Sequence, residues 1–417
     1  MQMKSFLSIT LHTIVEAHLE SKTIGTVELF QSHTAEYIGK TLVETLSNWS
    51  VQKENVVAVV TDSGANFKKA IINEFTANKH IPCVAHTINL VVEKAIEKTQ
   101  EINVQTKVKS GGVPAIMSKI REIVKFVKRS SKASDSLRKC QKLQGTIEGK
   151  YLKPILDVRT RWNSSFYMIE RFSTLAIYLS QVLLEFNGTD IPEMVSVSEL
   201  NCLKEMCALL QSFEQLTREL STEKTVMSSK VIPLIVCTKN ELIKQDPTIT
   251  ITIQLKIKLI EELDFRCGAY EQGPVLPICT ILDPRFKDMH FRNPLINARV
   301  QENILKMMDN DYNETNPTVP EETMNPPSEL NQYLHRNVIK LNEDPLVEWK
   351  NTEVIYPKLY NLAMKYLLIP ATSVPSERLF SKAGETVSKT RNRLTGKNLS
   401  KLLFLQSTDK NQLAHIL

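Results

Sequence analysis

Two stretches near the start are rich in β-branched residues, Ser5–Val15 and Lys22–Phe30, with polar His18–Ser21 between them. That pattern predicts a β-hairpin. Thr34 is placed to cap the next helix, in which Ile38, Leu42, Leu46 and Trp49 share one face at helical spacing. Val56–Thr61 is a continuous apolar run, as in a strand buried on both faces. It ends in Asp62-Ser63-Gly64-Ala65-Asn66, a turn leading into a helix near Phe67–Phe75. A polar residue at the carboxyl end of a buried strand is a usual place for chemistry in α/β folds. Val84–Lys98 is amphipathic and helical, and Gly111-Gly112 marks a break. From Pro114 to about Leu330 the period is helical, as in the stripe Ile116, Ile120, Ile123, Val124 and Val127. Val197–Leu220, Val226–Lys244 and Ile253–Leu263 read the same way. Asn316–Glu329 is proline-rich and polar and reads as a surface loop. Helices resume at Leu330 and run toward Tyr366, Pro370–Pro375 interrupts them, and Ser376–Leu405 reads as two helices broken near Gly396.

Composition narrows the class. The chain has 417 residues, 42% hydrophobic and 24% charged, which is ordinary for a globular protein of two or three domains. No apolar run reaches the roughly 20 residues that cross a bilayer. The seven cysteines are scattered, with no C-x-x-C pair, which favours free thiols over disulfides or a zinc ribbon. Net charge is only +6, but it is segregated. Val104–Lys153 carries thirteen Lys or Arg against three acids, and Tyr360–Leu417 carries nine against three. Basic stretches separated from an otherwise acidic chain suit a polyanion such as nucleic acid.

Three constellations hold the remaining chemistry. Thr61-Asp62-Ser63-Gly64-Ala65-Asn66 is followed by Pro82-Cys83-Val84-Ala85-His86-Thr87-Ile88-Asn89-Leu90. Cys83 and His86 form a C-x-x-H pair without a second Cys/His pair at ligand spacing, so no metal is assigned to it. The second constellation is Leu156-Asp157-Val158-Arg159-Thr160-Arg161-Trp162-Asn163-Ser164-Ser165. The third runs from Ile369 through Ala371-Thr372-Ser373-Val374-Pro375-Ser376-Glu377-Arg378-Leu379-Phe380, then Lys389-Thr390-Arg391-Asn392-Arg393-Leu394 and a leucine-rich tail. Leu282-Asp283-Pro284-Arg285-Phe286-Lys287 lies between the second and third.

In this order the motifs resemble the hAT superfamily of DNA transposases, and especially the BED-type zinc-finger proteins derived from them. The resemblance runs from about Ser5 to Leu405. It implies an α/β plus all-α protein, predominantly helical, in which a ribonuclease-H-like core is interrupted by a large helical insertion. The domains expected are residues 1–110 for the N-terminal part of the core, 111–345 for the insertion, and 346–417 for a dimerisation region that completes the core. The family's core uses two aspartates and a glutamate to hold two divalent ions for phosphodiester chemistry. Asp62 matches the second aspartate and Glu377 the glutamate. The first aspartate would lie on a strand before Ser5, and the first acidic residue here is Glu16.

The expectation is therefore a catalytically inactive remnant that needs no cofactor, with Mg2+ or Mn2+ required only if a longer form is an active transposase. Cys83 and His86 match a structural signature under the active-site floor. Arg161 and Trp162 match an Arg-Trp element placed to meet DNA, the ring either stacking on an extruded base or anchoring the insertion. Lys389, Arg391 and Arg393 would meet the phosphate backbone. Leu394, Leu399, Leu402, Leu403 and Leu405 would form a homodimer surface. The resemblance implies DNA and a second copy as partners, no membrane or small-molecule substrate, and a place in the nucleus. Two other functions remain open from sequence: an incomplete record of an active cut-and-paste transposase, and a protein-interaction scaffold that does not bind DNA.

Overall fold

A computed structural model describes residues 5–62, 64–102, 109–158, 161–188, 190–222, 225–315, 328–373 and 401. It opens with strands β1 (Ser5–Val15) and β2 (His18–Leu29), helix α1 (Ala35–Asn48), β3 (Val59–Thr61), α2 (Ala65–Glu74), β4 (His80–Pro82) and α3 (Val84–Glu97). The two-residue strands β5 (Glu101–Ile102) and β6 (Lys109–Ser110) come next, then α4 (Gly112–Arg129), α5 (Ser131–Leu143), α6 (Trp162–Leu184) and α7 (Val197–Leu220). The remainder comprises α8 (Val231–Lys244), α9 (Thr250–Cys267), α10 (Leu276–Ile281), α11 (Pro294–Thr315), α12 (Glu329–His335), α13 (Pro345–Thr352) and α14 (Pro357–Leu367). Among the described residues no helix is long and apolar enough to cross a membrane.

The helical reading of the middle of the chain holds closely, with α7 spanning the expected residues 197–220. The strands differ more. β2 begins at His18, so the residues expected to turn are already paired, and the turn is Glu16-Ala17. Both residues sit at positive φ, 49° and 61°, the left-handed pair that a tight two-residue hairpin requires. Trp49 does not join the buried stripe of α1. It is the C-cap, 45% exposed, and its indole N–H donates to the Ile24 carbonyl at 2.7 Å. The expected strand over 56–61 shortens to three residues and is half-buried, and among the described residues its ladder partner is β4 alone. The described strands form three separate two-stranded ladders: β1–β2 antiparallel, β3–β4 parallel and β5–β6 antiparallel.

The described chain divides into two compact units. The first takes residues up to 87, 218–236 and from 269 onward; the second takes 88–217 and 237–268. In the first unit, the open end of the hairpin packs with α1 and α2, through Leu7, Ile9, Ile24, Leu46, Ile71 and Phe75. Gly25 fits beneath α1 because a Cβ there would come 2.7 Å from the Thr45 methyl. The hairpin's turn, through Ala17, joins a larger cluster with Ile281, Leu282, Ile304, Leu330, Trp349 and Leu359. In the second unit α4 buries one face, Ile116, Ile120, Ile123, Val124 and Val127, and turns through Ser130 into α5. Ser130 caps α5 by accepting from the Ala133 N–H at 3.1 Å. α6 buries Phe166, Ile169, Phe172, Leu175 and Leu179, and α9 buries Leu255, Leu259 and Leu263.

Candidate functional site: a strand end and a buried tryptophan

Asp62 follows β3 directly and is exposed. Its Oδ1 accepts from the Gly64 N–H at 3.0 Å, the side-chain turn by which an aspartate bends its own backbone. Gly64 caps α2, and the Asn66 side-chain amide donates to the His33 carbonyl at 2.7 Å, holding the first turn of α2 to the chain before α1.

Beside this strand end lies Cys83, with no exposed surface. The Cys83 N–H donates to the Thr61 carbonyl at 2.6 Å, and Val84 N–H donates to the Ala371 carbonyl at 3.0 Å. Ser373 N–H donates to the Cys83 sulfur at 3.3 Å. Residues 369–373 therefore run past Cys83 next to the strand that ends in Asp62. Thr61 Oγ1 lies 2.9 Å from His80 Nε2, and burial, aided by Lys68, pushes the His80 imidazole below its ordinary pKa. His86 is half-buried on the first turn of α3.

Three groups of sequence-assigned residues, Glu377, the basic trio Lys389, Arg391 and Arg393, and the leucines Leu394, Leu399, Leu402, Leu403 and Leu405, lie outside the described residues. Among the described residues, no group of three or more His, Cys, Asp or Glu gathers as a metal site.

The second unit holds the Arg-Trp element. Arg161 is exposed and precedes α6. Trp162 is the first residue of that helix and only 6% exposed. Its backbone N–H donates to Asn89 Oδ1 at 2.9 Å, so a side chain of α3 caps α6. The indole lies 6.4 Å from the Phe166 ring and 6.3 Å, edge-on, from Phe213. Its Nε1–H is buried without a hydrogen-bond partner among the described residues. Trp162 also borders a cavity of about 320 Å3 with Asn89, Glu93, Met117, Arg121 and Ser165. Arg121 grips Asp157 in a two-point fork, Nε to Oδ1 at 2.9 Å and Nη2 to Oδ2 at 2.7 Å. Ser165 Oγ adds a third bond to that carboxylate at 2.8 Å. Burial pushes the Asp157 carboxyl up, and the bonds from Arg121 and Ser165 outweigh it and hold it below its ordinary range.

Sequence reasoning noticed the Leu282–Lys287 motif without giving it work. Asp283 is fully buried and accepts from Ser229 Oγ at 2.6 Å and from Arg285 Nε and Nη2 at 2.9 and 2.6 Å. Lys287, also buried, donates to the Tyr333 carbonyl at 2.7 Å and to the Arg336 carbonyl. The motif thus caps the C-terminal end of α12 with a cation. Their burial was not readable from the sequence, and it demands these partners, since such groups are rarely buried unpaired.

Comparison with known proteins identifies these pieces. Residues 81–209 match the ZBED1 RNase-like helical domain, and residues 329–408 match the hAT family C-terminal dimerisation region. Over 97% of its length the chain is 26% identical to Zinc finger BED domain-containing protein 4 of Homo sapiens, covering 36% of that protein. Over 98% of its length it is 24% identical to the putative transcriptional regulator tpeD of Talaromyces stipitatus, covering 52%. It is 22% identical over 94% of its length to the putative AC transposase of Zea mays, covering 53%. The chain thus spans a third to a half of the length of these curated relatives. It carries a match to the hAT dimerisation region at one end and to a ZBED1-type helical domain in its middle, and it is similar along nearly its whole length to BED zinc-finger proteins and hAT transposases.

Proposed function

We propose that this chain dimerises through its C-terminal region, binds DNA in the nucleus and does not itself cut DNA. The match of residues 329–408 to the hAT dimerisation region carries the reading. The segregated positive charge and the kinship with transposases and BED zinc-finger proteins support DNA as the partner. The geometry of Asp62 supports the lack of cleavage: its carboxylate serves the turn before α2, a role that needs no metal. We read the strand-bearing unit as what this chain retains of a ribonuclease-H-like core, on the parallel β3–β4 pair with Asp62 at its end. Trp162, buried against Phe166 and Phe213, acts as an anchor of the helical domain, and Cys83 acts as a pin between Thr61 and residues 371–373.

The test is a plasmid-nicking assay with Mg2+ or Mn2+ on the full chain, alongside its sedimentation at micromolar concentration. The expected result is a dimer that leaves the plasmid intact. Cleavage that disappears in Asp62→Ala or Glu377→Ala would overturn the inactive reading, and a well-folded monomer would overturn the dimer. One observation favours a second reading, in which this sequence is part of an active transposase. Ala371 and Ser373, shortly before Glu377, are hydrogen-bonded beside the strand that ends in Asp62.

A further inference from the structure

Within the basic stretch between residues 104 and 153 the described residues include a cationic helix face. α4 and α5 pack their apolar sides inward, with Val124 and Val127 buried on one and Ala133, Leu137 and Cys140 on the other. What remains outside is nearly all of one sign. Lys128 and Arg129 at the end of α4, and Lys132, Arg138, Lys139 and Lys142 on α5, are all exposed. The acids on these two helices are already engaged: Glu122 with Lys125 at 2.7 Å and Asp135 with Arg138 at 3.6 Å. Lys128, Arg129, Lys139 and Lys142 have no carboxylate partner among the described residues, and Lys132 rests over the Phe186 ring at 5.5 Å.

At helical spacing Lys132, Lys139 and Lys142 lie on one side of α5 and span about 15 Å along its axis. Phosphates along one strand of a duplex are spaced about 3.4 Å along its axis, so the row matches a stretch of about four of them. We infer that the outer face of α5, continued by Lys128 and Arg129, is a docking surface for the phosphate backbone of duplex DNA, formed by other residues than the Arg-Trp element and the C-terminal basic segment. The inference rests on the DNA-binding reading above and names where that binding occurs. Lysine point charges suit sequence-independent contact, because reading a base edge needs a directed hydrogen-bonding side chain.

Each phosphate contact contributes roughly 0.9 to the slope of log affinity against log salt. The experiment measures binding of the full chain to a mixed-sequence DNA duplex across a salt series, with the triple variant Lys132→Gln, Lys139→Gln, Lys142→Gln. A control variant, Lys40→Gln, Lys306→Gln, Lys350→Gln, removes the same charge from exposed lysines of the other unit. The slope is expected to fall by about 3 in the α5 variant. The affinity lost between 50 and 200 mM salt then shrinks about 40-fold, while the control keeps at least the greater part of its slope. Circular dichroism confirms folding, since all six lysines are on the surface. A wild-type slope that stays unchanged in the α5 variant, or falls equally in the control, overturns this site and leaves DNA binding standing. Wild-type protein without salt-dependent binding overturns both.

Discussion

Replacing Asp283 with alanine tests whether the Leu282–Lys287 motif holds the first unit together. The carboxylate is fully buried, and its partner guanidinium is only 4% exposed. Both charges have given up hydration and are compensated by each other, by Ser229 and the Arg285 backbone N–H at 3.0 Å on the carboxylate, and by the Phe286 ring 5.3 Å from the guanidinium. Removing one partner of such a pair leaves a desolvated charge and costs about 3–5 kcal/mol. That is a large share of the ~5–15 kcal/mol by which a domain is stable. Trp349 reports on this cluster directly. It is 1% exposed, stacks on Tyr333 at 5.0 Å, and its indole N–H donates to the Leu282 carbonyl at 2.8 Å. Its emission can be isolated in a Trp49→Phe, Trp162→Phe background and followed through urea denaturation. The expected result is a midpoint lowered by the equivalent of 3–5 kcal/mol at unchanged m-value. The double variant Asp283→Leu, Arg285→Met removes both charges and should lose much less than Asp283→Ala. A single-variant loss below about 1 kcal/mol, or a double variant as damaged as the single, would refute the reasoning.

Other outcomes follow from the same physics. Trp162→Ala should cost about 3–5 kcal/mol in the unfolding of the second unit, as removal of a large buried ring does, whereas a Trp162 that only met DNA would leave stability unchanged and weaken binding. Gly112→Ala should lower the melting temperature, because φ is +63° and a Cβ would come 2.4 Å from the Thr99 carbonyl oxygen; an unchanged thermal melt would contradict this. Glu205 caps α9 by accepting from the backbone N–H groups of Thr248 and Ile249 at 3.1 and 3.2 Å and from the hydroxyls of Thr248 and Thr252. Burial pushes its carboxyl up, but the Thr248 and Thr252 bonds outweigh this and hold it at about 2 against an ordinary 4.5. A depressed carboxyl stabilises the fold above pH 4.5 and loses that contribution as pH falls toward 2, so Glu205→Gln should flatten the stability profile in that window. Burial pushes the thiols of Cys207 and Cys267 to about 12, so a mild alkylating agent should label the exposed Cys237 first, as peptide mass mapping would show.

Local pattern settled the helices because amphipathic periodicity is a property of neighbouring residues. The stripe of α4 and the limits of α7 were readable for that reason. So was the Thr34 cap, whose hydroxyl accepts from the Tyr37 N–H three residues on. The family itself was legible in the order of the motifs, since chain order needs no folding. The sequence also exposed the charge imbalance, but not which cations would stay unpaired.

Only the tertiary structure decided the rest, because it depends on contacts between residues far apart in the chain. An apolar run such as Val56–Thr61 shows hydrophobicity but not how many partners a strand will find, and among the described residues β3 pairs with β4 alone, along three residues. Cys83 showed as half of a C-x-x-H pair, and only folding brought Ser373, 290 positions away, to its sulfur. Trp162 stood in the sequence only as part of an Arg-Trp element, and folding placed Phe213 and Asn89 around it. Asp283 and Lys287 stood in the sequence only as parts of a motif, and folding buried them and made each depend on a partner, Ser229 and Tyr333, supplied from elsewhere in the chain. Hydrophobic spacing is written in the sequence, whereas the compensation of a buried polar group depends on geometry that only the assembled chain supplies.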